Sequence, residues 1–150
     1  MKLDRQGFEP WIQKFGLEGI HTTADLSWDP LNEQFIISGN FIGFTAVAGD
    51  TIQTNTFDED LFVIATSILG EGLWIQKAGG QREDINLDLC LDPDGNIFLT
   101  GWYRGIINFS DGSQINTGGI MNSDAYLIKY SPSGQLLWAR TVGDLSLIHI

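Results

Sequence analysis

Apolar and polar residues alternate along much of the chain with a period of two, the spacing of a strand with one buried face. In residues 84–92, Ile85, Leu87, Leu89 and Leu91 hold one phase and Asn86, Asp88, Cys90 and Asp92 the other. Residues 21–29 repeat the pattern, with Thr22, Ala24, Leu26 and Trp28 in the apolar phase. A short turn follows each, and Phe35-Ile36-Ile37-Ser38-Gly39 and Ile97-Phe98-Leu99-Thr100-Gly101 read as the returning strands. The clearer turn is Asp92-Pro93-Asp94-Gly95-Asn96, where Pro pre-sets φ and Gly accepts a positive one. Two more strands close each unit, 61–68 with 72–78 and 125–130 with 135–142. Residues 42–59 and 104–123 each hold a turn signal, Gly49-Asp50 or Asp111-Gly112, between short apolar runs. They are predicted to be small hairpins or long loops. As loops carried on a rigid scaffold, they are also the best places for a recognition surface.

These patterns are copies of one another. Trp11-Ile12-Gln13-Lys14-Phe15-Gly16 returns as Trp74-Ile75-Gln76-Lys77-Ala78-Gly79, and again as Trp138-Ala139-Arg140-Thr141-Val142-Gly143. Asp29-Pro30 returns as Asp92-Pro93, Ser38-Gly39 as Thr100-Gly101, and Asp60-Leu61-Phe62-Val63 as Asp124-Ala125-Tyr126-Leu127. Landmarks in constant order, at a spacing that hardly drifts from one to the next, define a repeat. By this alignment residues 1–19 are the end of a truncated unit, 20–79 and 80–143 are full units, and 144–150 are a non-native tail. Met1 falls inside a strand, so the chain reads as starting within a repeat.

Each full unit supplies about four antiparallel strands. A lone four-stranded sheet leaves apolar faces wet, so the units must stack to exclude water. The predicted fold class is therefore all-β, with four-stranded antiparallel blades of an incomplete β-propeller. Eighteen glycines in 150 residues, many at repeated turn positions, agree with many short strands rather than helices.

With 19 acidic and 8 basic side chains the formal net charge is −11. That argues against nucleic acid as a partner, because neutralising phosphate needs Lys and Arg. No stretch nears the roughly 18 consecutive apolar residues of a membrane span, and no secretory leader is visible. The one cysteine, Cys90, forbids an intrachain disulfide and is expected to be a small buried side chain.

The order Asp-aromatic strand, Pro-x-Gly turn, Leu-Trp, Gly-Gly, then Asp-x-Asp-Gly-Asn and an apolar strand ending in Thr-Gly resembles the bacterial β-propeller repeats called SBBP. Residues 123–143 and 84–102 carry it best; Leu31-Asn32-Glu33-Gln34 departs from the Asp94-Gly95-Asn96-Ile97 of the other copy. The resemblance implies a large secreted or surface-attached bacterial protein, with the remaining blades on the same polypeptide. It implies structural rather than catalytic motif residues.

The candidate chemistry is sparse. Asp92, Asp94 and Asn96 offer oxygens of the kind calcium takes, but the rest of a calcium loop is missing and a hairpin turn fits better. Asp25 and Asp88 recur at one strand position, where they would either ring a propeller channel and bind a cation or basic ligand, or accept hydrogen bonds from neighbouring backbone or face solvent at a blade edge; the structural role is the better explanation. Trp11, Trp74 and Trp138 are better explained as packing than as carbohydrate platforms. Trp102 and Tyr103, beside the divergent segment 104–123, are the better ligand-facing pair, for a protein or a carbohydrate. His21 aligns with Asp84 at an outer strand start, and neither it nor Cys90 has a sequence partner that would make a nucleophile. The expected function is a non-catalytic structural or interaction scaffold. The alternative is part of a polysaccharide hydrolase or lyase whose active site lies in other blades.

Overall fold

The computed structural model describes residues 18–54, 58–119 and 121–143; Trp11 and the segments 1–17 and 144–150 lie outside them. The described chain is all-β, with eleven strands: β1 Glu18–Asp29, β2 Gln34–Val47, β3 Asp50–Gln53, β4 Asp60–Ser67, β5 Gly72–Gly79, β6 Asp84–Leu91, β7 Ile97–Arg104, β8 Ile106–Phe109, β9 Gln114–Asn116, β10 Ser123–Tyr130 and β11 Leu136–Val142. They form two antiparallel sheets. The first runs β1-β2-β4-β5-β8-β9, with β3 paired to β2; the second runs β6-β7-β10-β11. Each contains the four-stranded, blade-like set that the alternation implies, and neither closes into a barrel among the described residues.

The divergent segments are hairpins. After Val47, Ala48 (φ 57°) and Gly49 (φ 90°) both take left-handed backbone, the turn whose twist matches two paired strands, and β3 returns along β2. In the second unit the strand breaks at Gly105, and β8 and β9 leave their own sheet to join the edge of the first. Ala78 and Gly79 of β5 pair with Phe109 and Asn108 of β8. The excursion of one unit thus becomes the outer strands of its predecessor, a connection that a repeat read unit by unit does not reveal.

The main core lies between the sheets. Ile36, Leu61, Val63, Ala65 and Ala78 of the first meet Leu89, Ile97, Leu99, Tyr103, Tyr126, Ile128 and Tyr130 of the second. Phe41, Val47, Phe62, Ile64 and Ile75 form a second cluster on the opposite face of the first sheet. Trp74 is the bolt at the rim. Its indole N–H donates to the Pro132 carbonyl at 3.2 Å, and its ring lies beneath Gly134 of the β10–β11 turn. Gly134 has φ 81° and a Cβ there would fall 2.8 Å from the indole, so the turn needs glycine on both counts. Trp138 closes within its own sheet on Phe98, ring centroids 6.0 Å apart. Both described tryptophans of this position therefore pack, as their fixed place beside a turn suggests.

Candidate functional site

The edge strands β1 and β6 carry the recurrent aspartates, and each strand is bulged. The β1–β2 register slips between Thr23 and Asp25, and the β6–β7 register between Asn86 and Asp88. An extra residue in one strand leaves a backbone N–H to satisfy nearby. Asp25 Oδ1 accepts the N–H of Leu26 at 2.7 Å, and Asp88 Oδ1 that of Leu89 at 2.9 Å. Asp25 and Asp88 thus sit at equivalent bulges and spend an oxygen each on backbone. Replacing Asp88 with alanine is expected to destabilise the fold by about 1 kcal/mol, a lost charge-assisted hydrogen bond partly replaced by water. Calorimetric titration should show calcium binding no weaker in Asp25→Ala/Asp88→Ala than in the parent chain, and a loss of affinity would instead give these carboxylates to a cation.

Trp102 and Tyr103 part company. Neighbours in a strand point to opposite faces. Trp102 is half-buried and Asp88, paired opposite Thr100, shares its face of the second sheet. Tyr103 points the other way, has 0% exposure, and its hydroxyl meets Thr141 Oγ1 at 2.6 Å. Tyr103 is therefore core, not a ligand contact as expected. Cys90 is corrected in the opposite sense: it is exposed, since it lies on the polar side of the alternation beyond the bulge.

The turn reading of residues 92–96 holds in detail. Asp92 Oδ1 accepts the N–H groups of Asp94 and Asn96 at 3.0 and 2.8 Å, and the Asn96 amide and Lys129 ammonium complete the set on its two oxygens. Hydrogen bonds from Asn96, then Lys129, hold this carboxyl down to about 2. Asp29 does the same in the first unit with different donors, accepting from Leu31, Asn32 and Gln34. Its burial pushes the carboxyl up, but those hydrogen bonds outweigh it and leave it below the ordinary value. The Gln34 amide also donates to Pro132 O, carrying the first turn across to the second sheet.

Two buried polar groups that strand patterning did not single out join the sheets. The first centres on Asn86. Its N–H donates to Asn40 Oδ1 at 2.7 Å, its amide to Ser38 Oγ at 2.8 Å, and its Oδ1 lies 3.2 Å from the Tyr126 hydroxyl. That hydroxyl also reaches Ile85 O at 3.1 Å. Every partner is placed by a strand, so the network fixes one sheet against the other in register.

The second flanks Gly79-Gly80. Asp60, 1% exposed, forms an ion pair with Lys77 Nζ at 2.8 Å, and a Cβ on Gly79 would fall 2.1 Å from its Oδ1. Asp84, 0% exposed, accepts the Gly80 N–H on Oδ2 at 2.7 Å, while its Oδ1 has no well-formed hydrogen bond among the described residues. Burial, together with the nearby Asp60 charge, drives the Asp84 carboxyl up to about 8. Burial also raises Asp60, against the pull of Lys77. Asp84 is thus an interior residue rather than the outer strand start that the alignment with His21 suggests. Among the described residues, no three His, Cys, Asp or Glu side chains are grouped to hold a metal.

The comparisons with known proteins fit this architecture. No family model matches the chain. It is similar to an uncharacterised WD repeat-containing protein of Acanthamoeba polyphaga mimivirus. Identity is 29% over 126 residues, covering 68% of this chain and 9% of that protein. The chain spans less than a tenth of the length of the protein it matches. Among the described residues no helix is long and apolar enough to cross a membrane.

Proposed function

We propose that the chain is a pair of adjacent β-propeller blades serving as a structural and protein-interaction scaffold within a longer polypeptide. The observation that carries this reading is the mating of the two sheets, in which one unit's Trp74 is covered by the next unit's Pro132–Gly134 turn. The WD repeat named in the similar viral protein is itself a propeller sequence class, which supports the same reading. We further propose that the blades are of the SBBP kind and act outside the cell or at its surface, on the strength of the repeat motifs. The bulge carboxylates and the turn aspartates are assigned structural work, because each commits at least one oxygen to a backbone donor.

Two measurements test the scaffold. Hydrogen exchange should protect the amides of β2, β4, β7 and β10 together and release them in one cooperative opening. Separate opening of the two sheets would mean that they are not mated blades. Incubated with neutral and acidic polysaccharides, the chain should release neither reducing ends nor unsaturated products. Turnover that follows the protein through purification would replace the scaffold by an enzyme.

A further inference from the structure

The two units place the same groups around one spot and fill it differently. In the first, the Lys77 ammonium sits between the Asp60 carboxylate and the Gln53 carbonyl, 2.8 and 2.7 Å away. Asp124, Asn116, Thr141 and Gly143 occupy the positions of Asp60, Gln53, Lys77 and Gly79, one repeat further along the chain. The surroundings coincide as well. A Cβ on Gly79 would come 2.1 Å from Asp60 Oδ1, and one on Gly143 would come 2.3 Å from Asp124 Oδ1. Thr54 N–H donates to Gly43 O at 3.0 Å, and Thr117 N–H to Gly105 O at 2.9 Å, so the hairpins carrying Gln53 and Asn116 are closed by the same backbone hydrogen bond, although the first stays on its own sheet and the second joins its neighbour's.

Among the described residues the cation is what differs. Thr141 replaces Lys77 and turns its hydroxyl to Tyr103, whose counterpart in the first unit is Phe41. Arg104, next to Tyr103 on β7, reaches instead towards Glu83 at 3.9 Å. Asp124, half-buried, stands in a cleft of about 500 Å³ that Asn116, Thr117, Thr141 and Gly143 also line. An ammonium is a compact charge with three donors, suited to one carboxylate and neighbouring carbonyl oxygens. The net charge of −11 draws cations to it.

We propose that the Asp124 cleft is a binding site for a primary ammonium group supplied from outside these two units, the lysine side chain of a protein partner or a small amine. This deepens the scaffold reading by giving the chemistry of what is held. The site is tested by titrating the ¹⁵N-labelled chain with methylammonium, with a lysine-bearing peptide and with its Nε-acetylated form. Saturable shifts of the Gly143 and Asn116 amides are expected with the first two and not with the third, nor with tetramethylammonium, which has no N–H. Asp124→Asn should weaken binding about tenfold or more.

Thr141→Lys combined with Tyr103→Phe copies the first unit. It should block the titration and raise the melting temperature, a gain that Asp124→Asn removes. Tighter binding of the peptide than of methylammonium assigns the site to a protein partner, and equal binding per ammonium assigns it to small amines. No saturable shift, or a shift that persists in Asp124→Asn while the chain stays folded, overturns the site. Since the readout is local to a folded chain, such a failure leaves the cooperative exchange of the two sheets, and with it the scaffold, standing.

Discussion

Replacing Tyr126 with alanine is expected to cost about 3–5 kcal/mol, the range for emptying a buried aromatic site. Tyr126 is 1% exposed, lies edge-on to Tyr103 at 6.4 Å between centroids, and packs in the core shared by both sheets. Its hydroxyl also closes the Asn86 network on Ile85 O and Asn86 Oδ1. The truncation therefore loses apolar contact, leaves a cavity at the inter-sheet seam and strips the donor from the buried Asn86 Oδ1 and the part-buried Ile85 O. Set against a stability of roughly 5–15 kcal/mol for an ordinary domain, that is enough to populate the unfolded chain. Urea denaturation followed by tryptophan fluorescence measures it. Tyr126→Phe keeps the ring and removes only the donor, so it should cost about 1–2 kcal/mol. A Tyr126→Ala loss below about 1 kcal/mol would mean that the sheets do not lean on one another here.

Much of this seam is legible in the sequence, and the departures have one main physical source. The repeat, the strands, the Asp92 turn and the packing role of the tryptophans all follow from short-range pattern. The bulges do not. Read straight through, Ile85, Leu87, Leu89 and Leu91 make one apolar face, but the extra residue at Leu87 reverses the phase. Ahead of the bulge the inward positions are Asp84 and Asn86, both buried; behind it they are Leu89 and Leu91, while Leu87 itself is 60% exposed. A period-2 reading therefore hides the two most consequential polar residues of β6 behind a row of leucines. The signal that would have found the bulge is Asp88, whose carboxylate caps the displaced strand as Asp25 does in the other unit.

Tyr103 departs from expectation for a simpler reason, that residues adjacent in a strand cannot share a face, so at most one of Trp102 and Tyr103 can meet a ligand. The crossing of β8 and β9 to the first sheet depends on contacts between positions far apart in the chain, Ala78 with Phe109 and Gly79 with Asn108, which no local pattern encodes. The ammonium cleft was legible in principle, because Lys77 and Thr141 align directly, but its meaning needed the Lys77 contacts to be seen.

Asp84→Asn is expected to stabilise the protein most in alkaline solution and to flatten its pH dependence. A carboxyl raised from 3.8 to about 8 on folding holds its proton more tightly folded than unfolded. Its favourable contribution is complete below pH 4, where both states are protonated, and is lost as pH climbs from 4 towards 8. Above pH 8 the folded chain must carry the charge as well, and the loss levels off. The cause is geometric: Asp84 is wholly buried, the Gly80 N–H engages one oxygen, the other has no well-formed hydrogen bond among the described residues, and Asp60 lies close enough for its charge to oppose a second. Asparagine keeps an acceptor for Gly80, fills the same volume and cannot ionise. Melting temperatures of the two proteins should converge at pH 4 and separate steadily to pH 8, with the variant higher. Asp60→Asn makes the contrast, because it removes the buried carboxylate that the half-buried Lys77 pairs with and should destabilise across that range. If Asp84→Asn melts parallel to the parent at all pH values, Asp84 does not titrate in this window, and its contribution to the Gly79-Gly80 junction is the Gly80 hydrogen bond without a pH-dependent part.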